Sequence, residues 1–318
     1  MSNIINNITE FFLKELSDME GSLGKDSTKP LFDGAYNIRE NGSCLSLHNT
    51  KNITIEPKED KSGIKVTVKP GTKGESVYIP ACVTKGGIND LVYNDFIIGA
   101  DSDIKIISGC GVHTENDSGV MHNGIHKLIL GENARVLYEE KHMGTGTGKG
   151  VRSINPVMQA ELKKNSYLEI NATQISGVDK AHRKTNITVA EGAKLIIRER
   201  LFTEAEQETK TYFNVELNGD GSSADVVSRS VARDKSNQTM DALIIGNAAC
   251  TGHSECDAII DDEAIVDASP RLFARSKEAS LIHEAAIGKI AGEQILKLQT
   301  LGLTEKEAEQ EIIKGFLA

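Results

Sequence analysis

The chain has 318 residues, 39% of them apolar, enough to bury a large core in one long domain or two ordinary ones. Lys plus Arg number 36 against 46 Asp plus Glu, a formal net charge of −10, so the surface should repel phosphate backbones and nucleic acid is not an expected partner. No apolar run approaches the roughly 20 residues needed to cross a bilayer, and the N-terminus lacks a basic segment followed by a continuous apolar one; a cytoplasmic protein without membrane contact is expected.

The first twenty residues place Ile4, Ile5, Ile8, Phe11, Phe12, Leu16 and Met19 at helical spacing, which predicts a short amphipathic helix ending near Gly21. From GSLGKDSTKP onward the helical period disappears. Gly, Asn and Asp punctuate short β-branched runs such as NITIEP and GIKVTVKPG, so a long all-β region begins.

That region repeats. Two polar or Gly residues, a small residue, one spacer and an apolar alternation recur in ADSDIKI, ENARVLY, KNSYLEI, EGAKLII, SSADVVS and DEAIVDA, with the small residue at Ser102, Ala134, Ser166, Ala193, Ala224 and Ala264. Most copies follow another alternating strand, so each unit reads as strand, tight turn, strand. No unit can bury its apolar side alone. Stacked as successive coils the units bury a continuous interior, which favours a β-solenoid, although a spacing near 30 leaves a sandwich open.

Past Ser280 the helical period returns. GEQILKLQTLG carries Ile295, Leu298 and Leu301 on one side and stops at Gly302, a left-handed cap; Thr304 and Glu307 then form a T-x-x-E capping box for a second helix. The expected division is a helical segment over 1–30, a β core over 31–280 and a C-terminal helical segment over 281–318.

Several stretches carry candidate chemistry. The loop GTGTGKG, Gly144 to Gly150, fails the phosphate-loop spacing, because Met143 stands where Gly is needed and Gly150 where Ser or Thr is needed. The five cysteines, Cys44, Cys82, Cys110, Cys250 and Cys256, are odd in number and widely spaced; this argues against a disulfide framework and leaves thiols for metal or redox work, although each alone also reads as a small buried hydrophobe. In SGCGVHTENDSGVMHNGIHKLIL, Cys110 sits between glycines at a strand end, with His113, His122 and His126 nearby; a cationic neighbour would make such a thiol more nucleophilic, and His126 reads as a residue of an ordinary strand.

In CTGHSECDAII, Cys250, His253 and Cys256 are spaced C-x2-H-x2-C, with Glu255 among them, and His283 could complete four ligands for a structural zinc. The H-x-E within it lacks the later P-C-x-x-C of zinc deaminases. Further on, His283 and Glu284 are adjacent in SLIHEAAIGKIAGEQ. The acidic run Asp261, Asp262, Glu263 reads as a solvated turn rather than a hydrolase site.

Taken in order, SGCGVHTEN, GHSECDAII, LIHEAAIGKIAGEQ and LQTLGLTEKEAEQEIIKGF resemble the SufB/SufD family of iron–sulfur cluster assembly proteins, and most closely its short single-gene members, from about Tyr78 to the C-terminus. The resemblance implies a right-handed parallel β-helix with helical ends. It also implies a scaffold, not an enzyme, that builds a transient, labile cluster at a homodimer interface and binds no nucleotide itself. A SufC-like ABC ATPase would dock on the C-terminal helices, a cysteine desulfurase would supply sulfur, and apo iron–sulfur proteins would receive the cluster.

Carried over by motif, Cys256 is the implied cluster cysteine, His283 and Glu284 are implied neighbours of the cluster, Cys110 is the implied point of sulfur entry, and His122 lies on the implied transfer route. Ile282 replaces a glutamate of the family pattern, while Cys250, His253 and Glu255 have no secure counterparts and stand as less certain metal ligands. Mixed thiolate, imidazole and carboxylate donors suit a site that releases its cluster. The competing expectation is a solenoid adaptor that holds structural zinc and assembles no cluster.

Overall fold

A computed structural model describes residues 7–17, 32–175 and 177–318 of the chain. Two long sheets face each other across one core. In sheet I the strands Lys73–Val83, Asp103–His113, Arg135–Thr145, Tyr167–Gln174, Lys194–Thr203, Ser223–Ala232, Thr251–Ile260 and Ser280–Gly288 pair in that order, all parallel. Sheet II runs beside it through Ile64–Val68, Asn89–Ile98, Val120–Leu130, the pair Arg152–Ile154 and Val157–Leu162, then Lys180–Val189, Glu208–Leu217, Asn237–Gly246 and Ile265–Ala274. The chain alternates between the sheets, giving a parallel β-solenoid of about eight turns. The expected solenoid, rather than a sandwich, is the fold.

The coils stack because each strand buries alternate residues. Leu195, Ile197, Val215, Leu217, Val226, Ala242 and Ile244 all join one core cluster that runs the length of the coil. Antiparallel strands occur at the N-terminal end, where Ala35–Glu40 pairs with Ser43–His48 and Ile53–Pro57 with Ile64–Val68.

The structure corrects the repeat. Ser102, Ala134, Ser166 and Ala193 do form one column, each directly preceding the aligned strand starts Asp103, Arg135, Tyr167 and Lys194, but the register carries the column on to Ser222, Cys250 and Ala279. Ala224 is the second residue of its strand, two positions past the column, and Ala264 precedes a strand of the other sheet. The confusion has a local cause. Both corners use a left-handed residue just ahead of a small one: Asp101, Asn133, Asn165, Gly192 and Gly221 directly precede it at one corner, while Asp234 and Asp262 stand two positions before Ser236 and Ala264 at the other.

The described part of the N-terminal helix, α1 (Asn7–Ser17), lies on sheet I; Ile4, Ile5 and Met19 of the expected helix fall outside the described residues. Phe12 is buried against Gly111, where a Cβ would stand 2.3 Å from the ring, so only glycine fits beneath it. At the other end the β core continues to Gly288, past the expected boundary at 280, and the helices begin at α2 (Gly292–Thr300), followed by α3 (Glu305–Phe316). The expected capping box forms, with the Thr304 side chain accepting from the Glu307 amide and Glu307 accepting from the Thr304 amide. Gly302, at φ 99°, supplies the left-handed cap. Ala308 and Ile313 of α3 are buried, and Glu309 pairs with Arg233 of the solenoid.

The loop from Gly144 to Gly150 is a packing feature. A Cβ at Gly148 would stand 2.3 Å from the Asn116 amide and one at Gly150 2.2 Å from the Ser118 carbonyl, so these glycines let neighbouring coil corners touch.

Candidate functional site

The strand Thr251–Ile260 is an alternating strand of sheet I, not a turn. Gly252, Ser254, Cys256 and Ala258 are buried; His253, Glu255 and Asp257 face outward and are half-buried. Parity therefore decides the metal question. His253 is three residues from each of Cys250 and Cys256, an odd step that puts it on the opposite face. Cys250 occupies the small-residue corner column and packs in the main core, where burial raises its thiol pKa. The four residues expected to hold structural zinc do not converge.

The next strand, Ser280–Gly288, aligns His283 beside Ser254 and Glu284 beside Glu255. His283 consequently shares the inner face with Cys256, and both line one small cavity with Met240, Ala242, Ala268 and Pro270. Among the described residues, the buried Ser254 Oγ and His283 Nδ1 have no hydrogen-bond partner. Glu284 turns the other way. The expected donor set is thus divided, with Cys256 and His283 inside and Glu284, His253 and Glu255 outside.

Cys256 also ends an interior ladder. Register aligns Ser108, Glu140, Ala172, Glu199, Ser228 and Cys256 on successive strands of sheet I. Cys110 lies one inward position along, beside His142 and then Gln174. Five strand steps separate the strands of the two cysteines, a rise of roughly 24 Å at the usual strand spacing.

Polar groups occupy the middle of this path. Arg183 reaches across from sheet II and donates to Glu140 at 2.6 Å, with its Nε 3.5 Å from Glu199. Glu199 accepts from Thr211 at 3.0 Å and from Ser228 at 2.8 Å. His142 lies 3.3 Å from the other oxygen of Glu140. Nearer the N-terminal end, His126 contacts Tyr138 at 2.6 Å and Asn94 at 3.3 Å, while His122 pairs with Asp90, which also meets Arg39.

Burial sets the protonation of these groups. It works against ionised Glu140, but Arg183 and His142 outweigh it and hold that carboxyl well below its ordinary range. For Glu199 burial prevails and the pKa rises. His126 is pushed down to about 4 by burial, so it is neutral at physiological pH. Burial raises the Cys110 thiol well above its usual range, helped by Glu140, and pushes Cys256 up to about 12, helped by Glu199 and Asp257. Both thiols stay protonated until a cation or an opening of the fold favours the thiolate. Glu199→Gln should therefore lower the pH midpoint for alkylation of Cys256. An unchanged midpoint would remove Glu199 from its electrostatics.

Glu140, Glu199 and Arg183 were not among the residues singled out from sequence. Their signal was present: RVLYEEKHM and LIIRERLFT place Glu140 and Glu199 on the same parity as Val136, Tyr138, Leu195 and Ile197. A charge on the apolar parity of a strand must find a buried partner.

On the outer face, His253 Nδ1 lies 2.7 Å from Asp225 and its Nε2 3.8 Å from Glu284. One donor atom each from His253, Glu255 and Glu284 falls within 4.8 Å of the others. Burial pushes Asp225 up, yet hydrogen bonds from His253 and Arg198 leave its pKa below the ordinary value. No helix among the described residues is long and apolar enough to cross a membrane.

Comparison with known proteins identifies the family. The SufBD core domain of SUF system FeS cluster assembly matches residues 89–316. An iron–sulfur cluster assembly SufBD family protein of Methanocaldococcus jannaschii is 29% identical over 287 residues, covering 88% of this chain and 89% of the relative. One from Pyrococcus horikoshii is 29% identical over 287 residues, 86% of this chain and 83% of its own. Another, from Methanothermobacter thermautotrophicus, is 28% identical over 270 residues, but the match spans only 64% of that relative's length. The chain belongs to the SufBD family of iron–sulfur cluster assembly proteins.

Proposed function

We propose that this chain is the scaffold subunit of a cytoplasmic SUF-type assembly system, a binding and transfer protein rather than an enzyme. Two copies meet at their open C-terminal ends and hold a nascent cluster between them. Cys256 is the thiolate donor and His283 the imidazole donor from each copy. Sulfur supplied by a cysteine desulfurase enters near Cys110, and the polar interior between Glu140 and Ser228 is the path toward Cys256. A SufC-like ABC ATPase docks on α2 and α3, and its nucleotide cycle opens the interface so that the cluster passes to apo recipient proteins.

One observation carries the reading. Cys256 and His283 line the same cavity in the last two strands of sheet I, beside an orphaned hydroxyl and an orphaned imidazole nitrogen; Cys256 is buried beneath the strand that carries His283, and among the described residues no further strand of sheet I lies beyond it. Thiolate with imidazole also suits a cluster that must be released, whereas four cysteines would suit a resident one.

The test is anaerobic reconstitution of the full chain with ferrous iron and sulfide. Wild type should develop a sulfide-dependent visible absorption; Cys256→Ala should lose it, and His283→Ala should keep part of it and give up its iron faster to a chelator. Tightly held zinc with no sulfide-dependent absorption in wild type would refute the scaffold reading.

A further inference from the structure

We propose that His253, Glu255 and Glu284 form a second, separate metal site on the outer face of sheet I, which binds one divalent first-row cation through an imidazole and two carboxylates. That the cation is ferrous iron, taken up as cargo, rests on the function proposed above; the site itself rests on geometry.

The three side chains come from two adjacent parallel strands. His253 and Glu255 are two residues apart on one and so share its outer face; Glu284 is directly opposite Glu255 on the next. Their donor atoms lie within 4.8 Å of one another. Donors at about 2.1 Å from one ion stand at most about 4.2 Å apart, so a small rotation of Glu284, whose side chain is 68% exposed, closes the set.

Two further features distinguish this cluster from ordinary surface charge. Asp225, on the preceding strand, is 2.7 Å from His253 Nδ1 and is itself held by Arg198 at 2.5 Å. A carboxylate that accepts a hydrogen bond from Nδ1–H fixes the ring and directs the Nε2 lone pair toward the metal, the usual arrangement behind a ligating histidine. Glu255 and Glu284 are like charges placed directly across two strands; Arg229, 3.6 Å from Glu255, offsets part of that repulsion, and a cation between the two carboxylates offsets the rest.

The site opens into a groove lined by Arg198, Arg200 and Arg229, which can hold water or an anion on the remaining coordination positions. Imidazole with carboxylates and open positions suits iron(II), and neither Cys250 nor Cys256 shares this face. Strand parity puts Cys256 on the other side of the sheet, so the outer ion and the interior thiol are distinct sites.

The test uses the full chain, anaerobic, with ferrous iron alone and no sulfide, by equilibrium dialysis, with cobalt(II) as a spectroscopic stand-in. One ion per chain is expected, without a sulfur-to-cobalt charge-transfer band. His253→Ala and Glu284→Gln should each weaken binding at least tenfold. Asp225→Asn should weaken it roughly 10–100-fold through the orientation of His253. Cys256→Ala should leave it unchanged. All these outer positions are at least partly exposed, and equal melting temperatures would show that the variants fold.

Binding unaffected by His253→Ala, or lost in Cys256→Ala together with a sulfur band in wild type, would overturn the site. The two readings fail separately. Iron bound here without any sulfide-dependent cluster on Cys256 would refute the scaffold but not this site, and the reverse result would refute this site alone.

Discussion

Replacing Arg183 with Met is expected to destabilise the chain by about 3–5 kcal/mol, the usual cost of removing one partner from a buried ion pair. Arg183 is buried from sheet II between two buried carboxylates of sheet I, Glu140 and Glu199, and bonds directly to Glu140. Without it the interior retains Glu140, whose depressed pKa depends first on Arg183 and then on His142. That carboxyl would rise toward protonation.

The sign of the pH effect follows. A carboxyl whose pKa is lower folded than unfolded stabilises the fold above its unfolded pKa and loses that contribution as the pH falls through the folded value. Wild type should therefore lose stability in acid through Glu140, while Arg183→Met should be less acid-sensitive and weaker at neutral pH. Glu140→Gln in the Arg183→Met background should recover part of the loss. Arg183→Lys should fall between, because an ammonium cannot make the guanidinium's forked contact with two acids. Chemical denaturation of the four proteins measures this. An Arg183→Met chain as stable as wild type would mean that the carboxyls are neutral or hydrated, and the interior path would lose its charged centre.

The same network marks the limit of the sequence. Parity within one strand was readable: Glu199 shares its side of the strand with Leu195 and Ile197, so its burial could have been inferred from LIIRERLFT alone. Its partner could not, because Arg183 comes from the other sheet and only the stacking of coils brings them together. The corner repeat was readable for the same local reason that made it ambiguous, since at both corners a left-handed Asn, Asp or Gly stands one or two positions ahead of a small residue. Cys250 and Cys256 looked equivalent beside His253, yet one fills a corner column and the other ends the interior ladder. Strand parity separates both from His253, and the strand start at Thr251 separates the two from each other; either inference required Thr251–Ile260 to be recognised as a strand. The resemblance to the SufB/SufD family pointed to Cys256, His283 and Glu284 together without showing that the sheet passes between them.

The open end gives the second large effect. Ile265–Ala274 and Ser280–Gly288 are the last strands of their sheets, each with one unpaired edge. Inward-facing residues such as Ala268, Leu272 and Leu281 are only partly buried there, because no further coil lies above them. Phe273 and Ile282, on the outward faces of the two strands, are 58% and 55% exposed. A free edge beside apolar side chains invites pairing with another chain, and charged residues on an edge prevent it. Covering one large apolar side chain contributes about 1.5–3 kcal/mol. Phe273→Lys with Ile282→Lys, in each of two copies, should accordingly weaken self-association at least 100-fold, about 2.7 kcal/mol. Sedimentation of wild type should show a dimer and the double variant a monomer, with near-equal melting temperatures at low concentration. Because Cys256 and His283 lie at this end, the monomeric variant should also lose the sulfide-dependent absorption although both donors remain. A double variant that stays dimeric would place the interface elsewhere; one that is monomeric yet builds a full cluster would show that a single chain supplies every ligand.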